Sequence, residues 1–156
     1  MVVDRCEFLS NEMSTLSQNR TSVAINVNAN DTKIRHNRFV RFGHFMVAAG
    51  GGHMIDNNHW FQGDTAQVGV RFGGLILTRT NVQANVTSNY IDNCSIEWTN
   101  EHDAKPDFEG DEYSFGGLTI TGNTFLASDT TLGFNWLVVK PYGSGHFIHG
   151  LAVMGN

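Results

Sequence analysis

The sequence predicts an all-β chain wound as a right-handed parallel β-helix of about five coils, and two observations carry that expectation. One is a recurring mark: an isoleucine or valine, two residues, an asparagine, one residue, then a bulky apolar residue. The other is what lies between the marks, where strand-like apolar runs alternate with Gly, Asn and Asp and no helical periodicity is present. A short repeat of this kind cannot bury its apolar side alone and must stack on its neighbours.

In order, the marks are Ile34 to Phe39 around Asn37, Ile55 to Trp60 around Asn58, Val86 to Ile91 around Asn89, and Ile120 to Phe125 around Asn123. Val3 to Phe8 is an imperfect first copy with Cys6 at the asparagine position, and Val153 opens a further copy at Asn156. Successive marks are 31, 21, 31, 34 and 33 residues apart. Each unit is expected to hold the marked strand and a second apolar strand: Ser22 to Val27, His44 to Ala49, Gly74 to Thr78, Cys94 to Thr99 and Trp136 to Lys140. The compact coil from 34 to 54 contrasts with long excursions near 10 to 21, 62 to 72 and 100 to 117, and long loops on a solenoid tend to form its working face.

The leading Ile or Val and the trailing Phe, Trp or Ile of each mark are expected to point inward and stack coil on coil. Asparagine tolerates a left-handed backbone, and its amide both donates and accepts, which fits Asn37, Asn58, Asn89 and Asn123 to a stacked ladder at a turn. Asn57, Ser88, Gly122 and Gly155, just before the ladder, suit the same tight bend.

One domain is expected across residues 1–156. Because the first strand starts near Met1 and the last mark is cut at Asn156, the expectation is a segment of a longer β-helix with flanking coils, or ends covered by other subunits as in a homotrimer. No run approaches the roughly 18 apolar residues of a membrane span, and Met1 to Arg5 lacks the layout of a signal peptide. The net charge is -5, and the 10 basic residues are spread along the chain. That argues against nucleic acid as a partner. Cys6 and Cys94 lie three coils apart, about 14 Å at the spacing of stacked parallel strands, too far for a disulfide. Cys94 is expected to pack as a small apolar residue. His36, His44, His53 and His59 are expected at turns or facing solvent. Their spacing matches no metal set, so no metal ligands are assigned; CxxC and HExxH are also absent.

The densest chemistry follows the strand Cys94 to Thr99, which runs into Asn100-Glu101-His102-Asp103 and a loop carrying Asp107, Glu109, Asp111 and Glu112. With Ile96 and Trp98 inward, alternation puts Glu97 and Thr99 outside, beside Lys140 of the next coil. A structural reading makes Glu97 and Lys140 an exposed ion pair worth about 0 to 1 kcal/mol. A catalytic reading takes Glu97 with Glu101 or Asp103 as the two carboxyl groups of a sugar-cleaving site, which stand about 5 Å apart for retention or about 6.5 to 9.5 Å for inversion. The same oxygen-rich loop would suit calcium as a cofactor, without EF-hand spacing. Trp60 and Trp98 are expected in the core. Trp136, one step out of phase with Leu137 and Val139, is the exposed aromatic candidate for sugar contact, with Tyr113 and Tyr142 on loops and Lys140 and His146 near them.

The coil pattern resembles the right-handed β-helix superfamily that includes pectate lyases, polygalacturonases and bacteriophage tailspikes. The segments WFQGD at 60 to 64, IEWTNEHD at 96 to 103, LTITGNTF at 118 to 125 and VVKPYGSGHF at 138 to 147 look closest to bacterial and phage-type members labelled pectate-lyase-like or related to glycoside hydrolase family 28. The resemblance implies a longer, often trimeric protein that binds or trims surface polysaccharide, in an extracellular, cell-surface or virion-associated setting. The polygalacturonase motifs are not present, with only Gly145-His146 echoing one of them, and the arginine base and calcium aspartates of pectate lyases have no counterpart. The expectation is therefore polysaccharide recognition by a tailspike-like or surface-associated β-helix. The alternatives are a glycoside hydrolase or lyase acting on an acidic polysaccharide, and a non-catalytic structural shaft.

Overall fold

A computed structural model of the chain describes residues 1–10, 22–62, 67–72, 83–99, 113–128, 133–140 and 146–156. Among them the chain is all strand and winds as a parallel β-helix. Each turn crosses three sheets in succession. The first turn is β1 (Val2–Asp4), β2 (Glu7–Leu9) and β3 (Val23–Asn28), and the second is β4 (Lys33–Arg35), β5 (Arg38–Val40) and β6 (His44–Ala49). The third is β7 (His53–Asp56), β8 (His59–Phe61) and β9 (Gln67–Phe72), and the fourth is β10 (Ala84–Thr87), β11 (Tyr90–Asp92) and β12 (Cys94–Thr99). β13 (Tyr113–Gly116) precedes the fifth turn of β14 (Leu118–Thr121), β15 (Thr124–Leu126) and β16 (Leu137–Lys140). Last come β17 (His146–His149) and β18 (Ala152–Met154).

Sheet A stacks β1-β4-β7-β10-β14-β18, sheet B stacks β2-β5-β8-β11-β15, and sheet C stacks β3-β6-β9-β12-β16. A small fourth sheet pairs β13 with β17. Every pairing is parallel, so each strand bonds the strand one turn away.

The expected mark thus contains two strands rather than one. Its Ile or Val lies on sheet A, its bulky residue on sheet B, and the asparagine sits at the corner between them. Val3, Ile34, Ile55, Val86, Ile120 and Val153 stand in register on sheet A. Phe8, Phe39, Trp60, Ile91 and Phe125 do so on sheet B. Ile25, Met46, Val70, Ile96 and Leu137 close the core from sheet C. Ile34, Phe39, Ile55, Val70, Val86, Ile91 and Ile96 are wholly buried, each worth about 1.5–3 kcal/mol of transfer free energy. Phe8 and Phe39 stack with ring centroids 4.9 Å apart and planes within 8°.

The asparagine ladder explains why this residue recurs. Asn89 Oδ1 accepts from the Asn58 backbone N–H at 2.9 Å and from Asn58 Nδ2 at 3.0 Å. Asn89 Nδ2 donates to the Ile55 carbonyl and to Asn123 Oδ1, both at 3.0 Å. The unit repeats from Asn37 to Asn156. Two donors and two acceptors on a short side chain are what the position consumes, and only asparagine supplies them at that reach. The ladder asparagines are not themselves left-handed. The residue before each one is: His36, Asn57, Ser88, Gly122 and Gly155 have φ of 55°, 55°, 56°, 65° and 61°, and Arg5 before Cys6 has 55°. The bend is thus made one position earlier, and the asparagine locks it.

The strand of sheet C in the third turn is Gln67–Phe72, not the expected Gly74 to Thr78, which lies outside the described residues. Its alternation is interrupted by a bulge: Val68 faces Ser95 but Val70 faces Ile96, leaving Gly69 as the extra residue. A Cβ on Gly69 would sit 2.5 Å from Cε3 of Trp60. In the neighbouring turn Phe39 and Phe45 stack at 5.4 Å, so a phenyl pair is exchanged for an indole and a glycine.

Candidate functional site

The outward positions of sheet B line up as sharply as the inward ones. Glu7, Arg38, His59, Tyr90 and Thr124, each the residue after the corner, form one column in register. Along this column, from the A–B corner outward, runs a groove of about 960 Å³ that crosses the first four turns. Its walls include Arg5, Glu7, His36, Arg38, Asn57, His59, Phe61, Ser88, Tyr90 and Asp92, with the ladder asparagines beneath.

Tyr90 is 40% exposed, and its ring meets His59 edge to face, centroids 4.9 Å apart at 89°. The Phe61 ring also meets His59 edge to face, centroids 6.5 Å apart. Burial, and then the nearby Arg38, lower the pKa of His59, so the imidazole is neutral around pH 7. Arg38 forms an ion pair with Glu7 across adjacent turns. His36 Nδ1 lies 2.9 Å from Asp4 Oδ1, a hydrogen bond that holds the Asp4 carboxyl below its ordinary range. Apolar ring faces beside paired hydrogen-bonding groups suit a ligand with apolar faces and many hydroxyls.

The residues singled out from the sequence fall elsewhere. Glu97 is on the outer face of sheet C, as alternation requires, with Ile96 and Trp98 buried. The register places Thr99, not Glu97, across from Lys140, and Glu97 across from Val138. Glu97 instead pairs with Arg71 one turn back: Arg71 Nε and Nη2 reach Oε2 at 2.9 and 2.8 Å. The pair is mostly covered, with side chains 20% and 16% exposed. A bulge in β9 and a side chain able to reach across one strand spacing bring these partners together. Trp136 is 45% exposed, beside Phe125 and Phe134, on a cavity of about 560 Å³ at the end of the stack. Tyr113, Lys140 and His146 belong to strands β13, β16 and β17. Glu101, Asp103 and Tyr142 lie outside the described residues, as do Asp107, Glu109, Asp111 and Glu112. Among the described residues no group of three or more His, Cys, Asp or Glu side chains could hold a metal ion.

Two histidines expected at turns or in solvent are more enclosed. His53 is buried; its Nδ1 lies 2.7 Å from Thr32 Oγ1 and its Nε2 3.1 Å from the Ala49 carbonyl. A carbonyl only accepts, so Nε2 carries the proton and Nδ1 accepts from the threonine. Burial lowers the pKa of His53. His44, near the Arg71–Glu97 pair, has both ring nitrogens buried with no hydrogen-bond partner among the described residues. Its pKa is lowered by burial and then by Arg71. Cys94 is fully buried, as expected, and burial raises its thiol pKa well above the ordinary value. Cys6 is exposed, and both cysteines are free.

Arg38 and Tyr90 were not singled out from the sequence, and His59 was read only as a turn or solvent-facing histidine, although each occupies the unspecified position between the ladder asparagine and the bulky core residue. That position points outward in every turn, and it is the only signal that would have found them. Comparison of the chain with family models, with curated proteins and with solved structures gives no match. No helix among the described residues is long and apolar enough to cross a membrane.

Proposed function

We propose that this protein recognises a polysaccharide, laid along the groove over the A–B corner and parallel to the solenoid axis. The observation that carries the reading is the in-register column Arg38, His59 and Tyr90, which offers aromatic faces and hydrogen-bonding groups at the repeat of the stack. Successive strands are about 4.8 Å apart, so the four turns from Glu7 to Tyr90 present about 14 Å of continuous contact to an extended chain. The sequence resemblance to tailspikes and pectate-lyase-like proteins supports the same ligand class and suggests a surface or virion setting and a trimeric assembly.

Incubation with a panel of bacterial, algal and plant polysaccharides, reading binding and chain length together, tests the proposal. Binding is expected for at least one chain, and Tyr90→Ala is expected to weaken it about tenfold, the equivalent of about 1.4 kcal/mol for a lost stacking face. Binding that Tyr90→Ala leaves unchanged would remove the groove from the proposal. Shortened chains would favour the hydrolase or lyase alternative and bring Glu97, Glu101 and Asp103 forward for substitution. The absence of binding to any chain would favour the structural shaft.

A further inference from the structure

We infer that the groove selects an uncharged polysaccharide and that Glu7 is the residue that sets this selectivity, an inference that rests on the polysaccharide reading above. The lining carries two arginines, Arg5 and Arg38, against two carboxylates, Glu7 and Asp92, so its arginine and carboxylate charges balance. Pairing is local as well as global. Arg38 is matched by Glu7 on the adjacent strand, one position away in the same outward column. Arg5 and Arg35 both reach Asp4 Oδ2, at 3.4 and 3.5 Å, and His36 reaches Asp4 Oδ1. Asp92 is 3% exposed and its Oδ1 accepts the Ser128 backbone N–H at 3.3 Å.

An acidic chain carries a carboxylate on successive sugars and needs a cation that is not already spoken for. Here Arg38 has Glu7 beside it and Arg5 shares Asp4 with Arg35, so a uronate entering beside Arg38 would meet Glu7 as well, at a like-charge cost. A neutral chain meets the opposite situation. Arg38 and Glu7 side by side present donors and acceptors together, which is what adjacent hydroxyl groups require, while Tyr90 offers a flat face to the ring. The ion pair is exposed on both sides, 49% and 52%, so it stays open to a ligand.

Matched pairs of polymers test this: polygalacturonate, alginate and hyaluronate, each against its own carboxyl-reduced form, with affinities measured at 50 and 500 mM NaCl. The expected result is that the reduced member of at least one pair binds at least about tenfold tighter than its uronate parent. Its Kd should change less than about twofold between the two salt concentrations, because no ion pair forms with the ligand. Glu7→Gln, a surface change that leaves the core untouched, is expected to narrow or invert that preference by freeing Arg38. Tighter binding of the uronate member, weakened by salt, would overturn the inference while leaving polysaccharide recognition intact. Equal binding of both members, or a preference that Glu7→Gln leaves unaltered, would also overturn it. No binding by either member of any pair, nor by the neutral chains of the wider panel, would overturn the recognition reading and this inference with it.

Discussion

The two corners that flank sheet B do the same geometric job by different means. At the A–B corner every turn uses one left-handed residue followed by the ladder position, and from Asn37 to Asn156 the amides bond one another from coil to coil. At the B–C corner the equivalent residues are Ser10, Arg41, Gln62 and Asn93, matched by the backbone bond each donates to the next turn. Of these only Arg41 and Asn93 are left-handed, at 59° and 53°. Their side-chain bonds differ too: Gln62 Nε2 reaches the Phe42 carbonyl at 2.6 Å, while Asn93 Nδ2 reaches Ser128 Oγ at 3.0 Å. One strictly repeated corner therefore suffices to hold the register of the stack. The other is free to vary, and sheet C beyond it tolerates the bulge at Gly69 and the Arg71–Glu97 pair.

The largest effect is expected where the repeat is strict. Asn89→Ala removes a side chain that makes four coil-to-coil bonds and leaves the Asn58 backbone N–H and the Ile55 carbonyl short of partners. Each buried unsatisfied group costs about 1–3 kcal/mol, so a loss of about 3–5 kcal/mol is expected in urea unfolding. A loss under about 1 kcal/mol would mean the corner is held by packing instead.

Next comes Gly69→Ala, whose methyl meets the Trp60 ring and should destabilise by about 1–3 kcal/mol. Combining it with Trp60→Phe restores the size relation of the turn before, so the double variant should lose less than the sum of the singles. Additive losses would show that the bulge, not the indole, demands glycine.

Acid should weaken the stack as a whole. His44 and His53 have lowered pKa values in the fold, so between those values and the unfolded value near 6.5 the unfolded chain binds more protons. Their contribution is complete above about pH 6.5 and is lost as pH falls below it. The urea midpoint should therefore drop between pH 7 and 5.5, and His53→Leu should make the slope shallower. A slope equal in the variant would assign the acid effect to other groups.

The smallest effect is expected at the one irregular step of the ladder. The Cys6 backbone N–H donates to Asn37 Oδ1 at 2.9 Å, but the cysteine side chain offers no amide. Cys6→Asn should complete the first step and add about 0.5–1.5 kcal/mol. A neutral or negative change would show that the first turn does not present the ladder geometry.

The strict corner is also the part that was legible in the sequence. Its requirement for two donors and two acceptors admits one residue type, so Asn37, Asn58, Asn89 and Asn123 read as a period without any structure. The bend before the ladder was legible at Asn57, Ser88, Gly122 and Gly155 but not at Arg5 or His36, which have no turn signature of their own, and the division of each mark into two strands at that bend was not read. The third-turn strand was misplaced because Gly69 breaks its alternation while 74 to 78 offers a longer apolar run. Glu97 was correctly placed outside, but its partner depended on a register that spacing alone does not set. The groove went unread because its column holds an acid, a base, an imidazole, a phenol and a hydroxyl, which share a direction and not a chemistry.

The groove itself is tested most directly by backbone amide NMR shifts on a chain of 17.2 kDa, titrated with a polysaccharide that binds. The expected result is a contiguous set of shifts along β5, β8 and β11, from Arg38 through His59 to Tyr90, leaving Glu97 and Trp136 unmoved. Shifts centred on Glu97 in sheet C or on Trp136 at the end of the stack, with Arg38, His59 and Tyr90 silent, would contradict it.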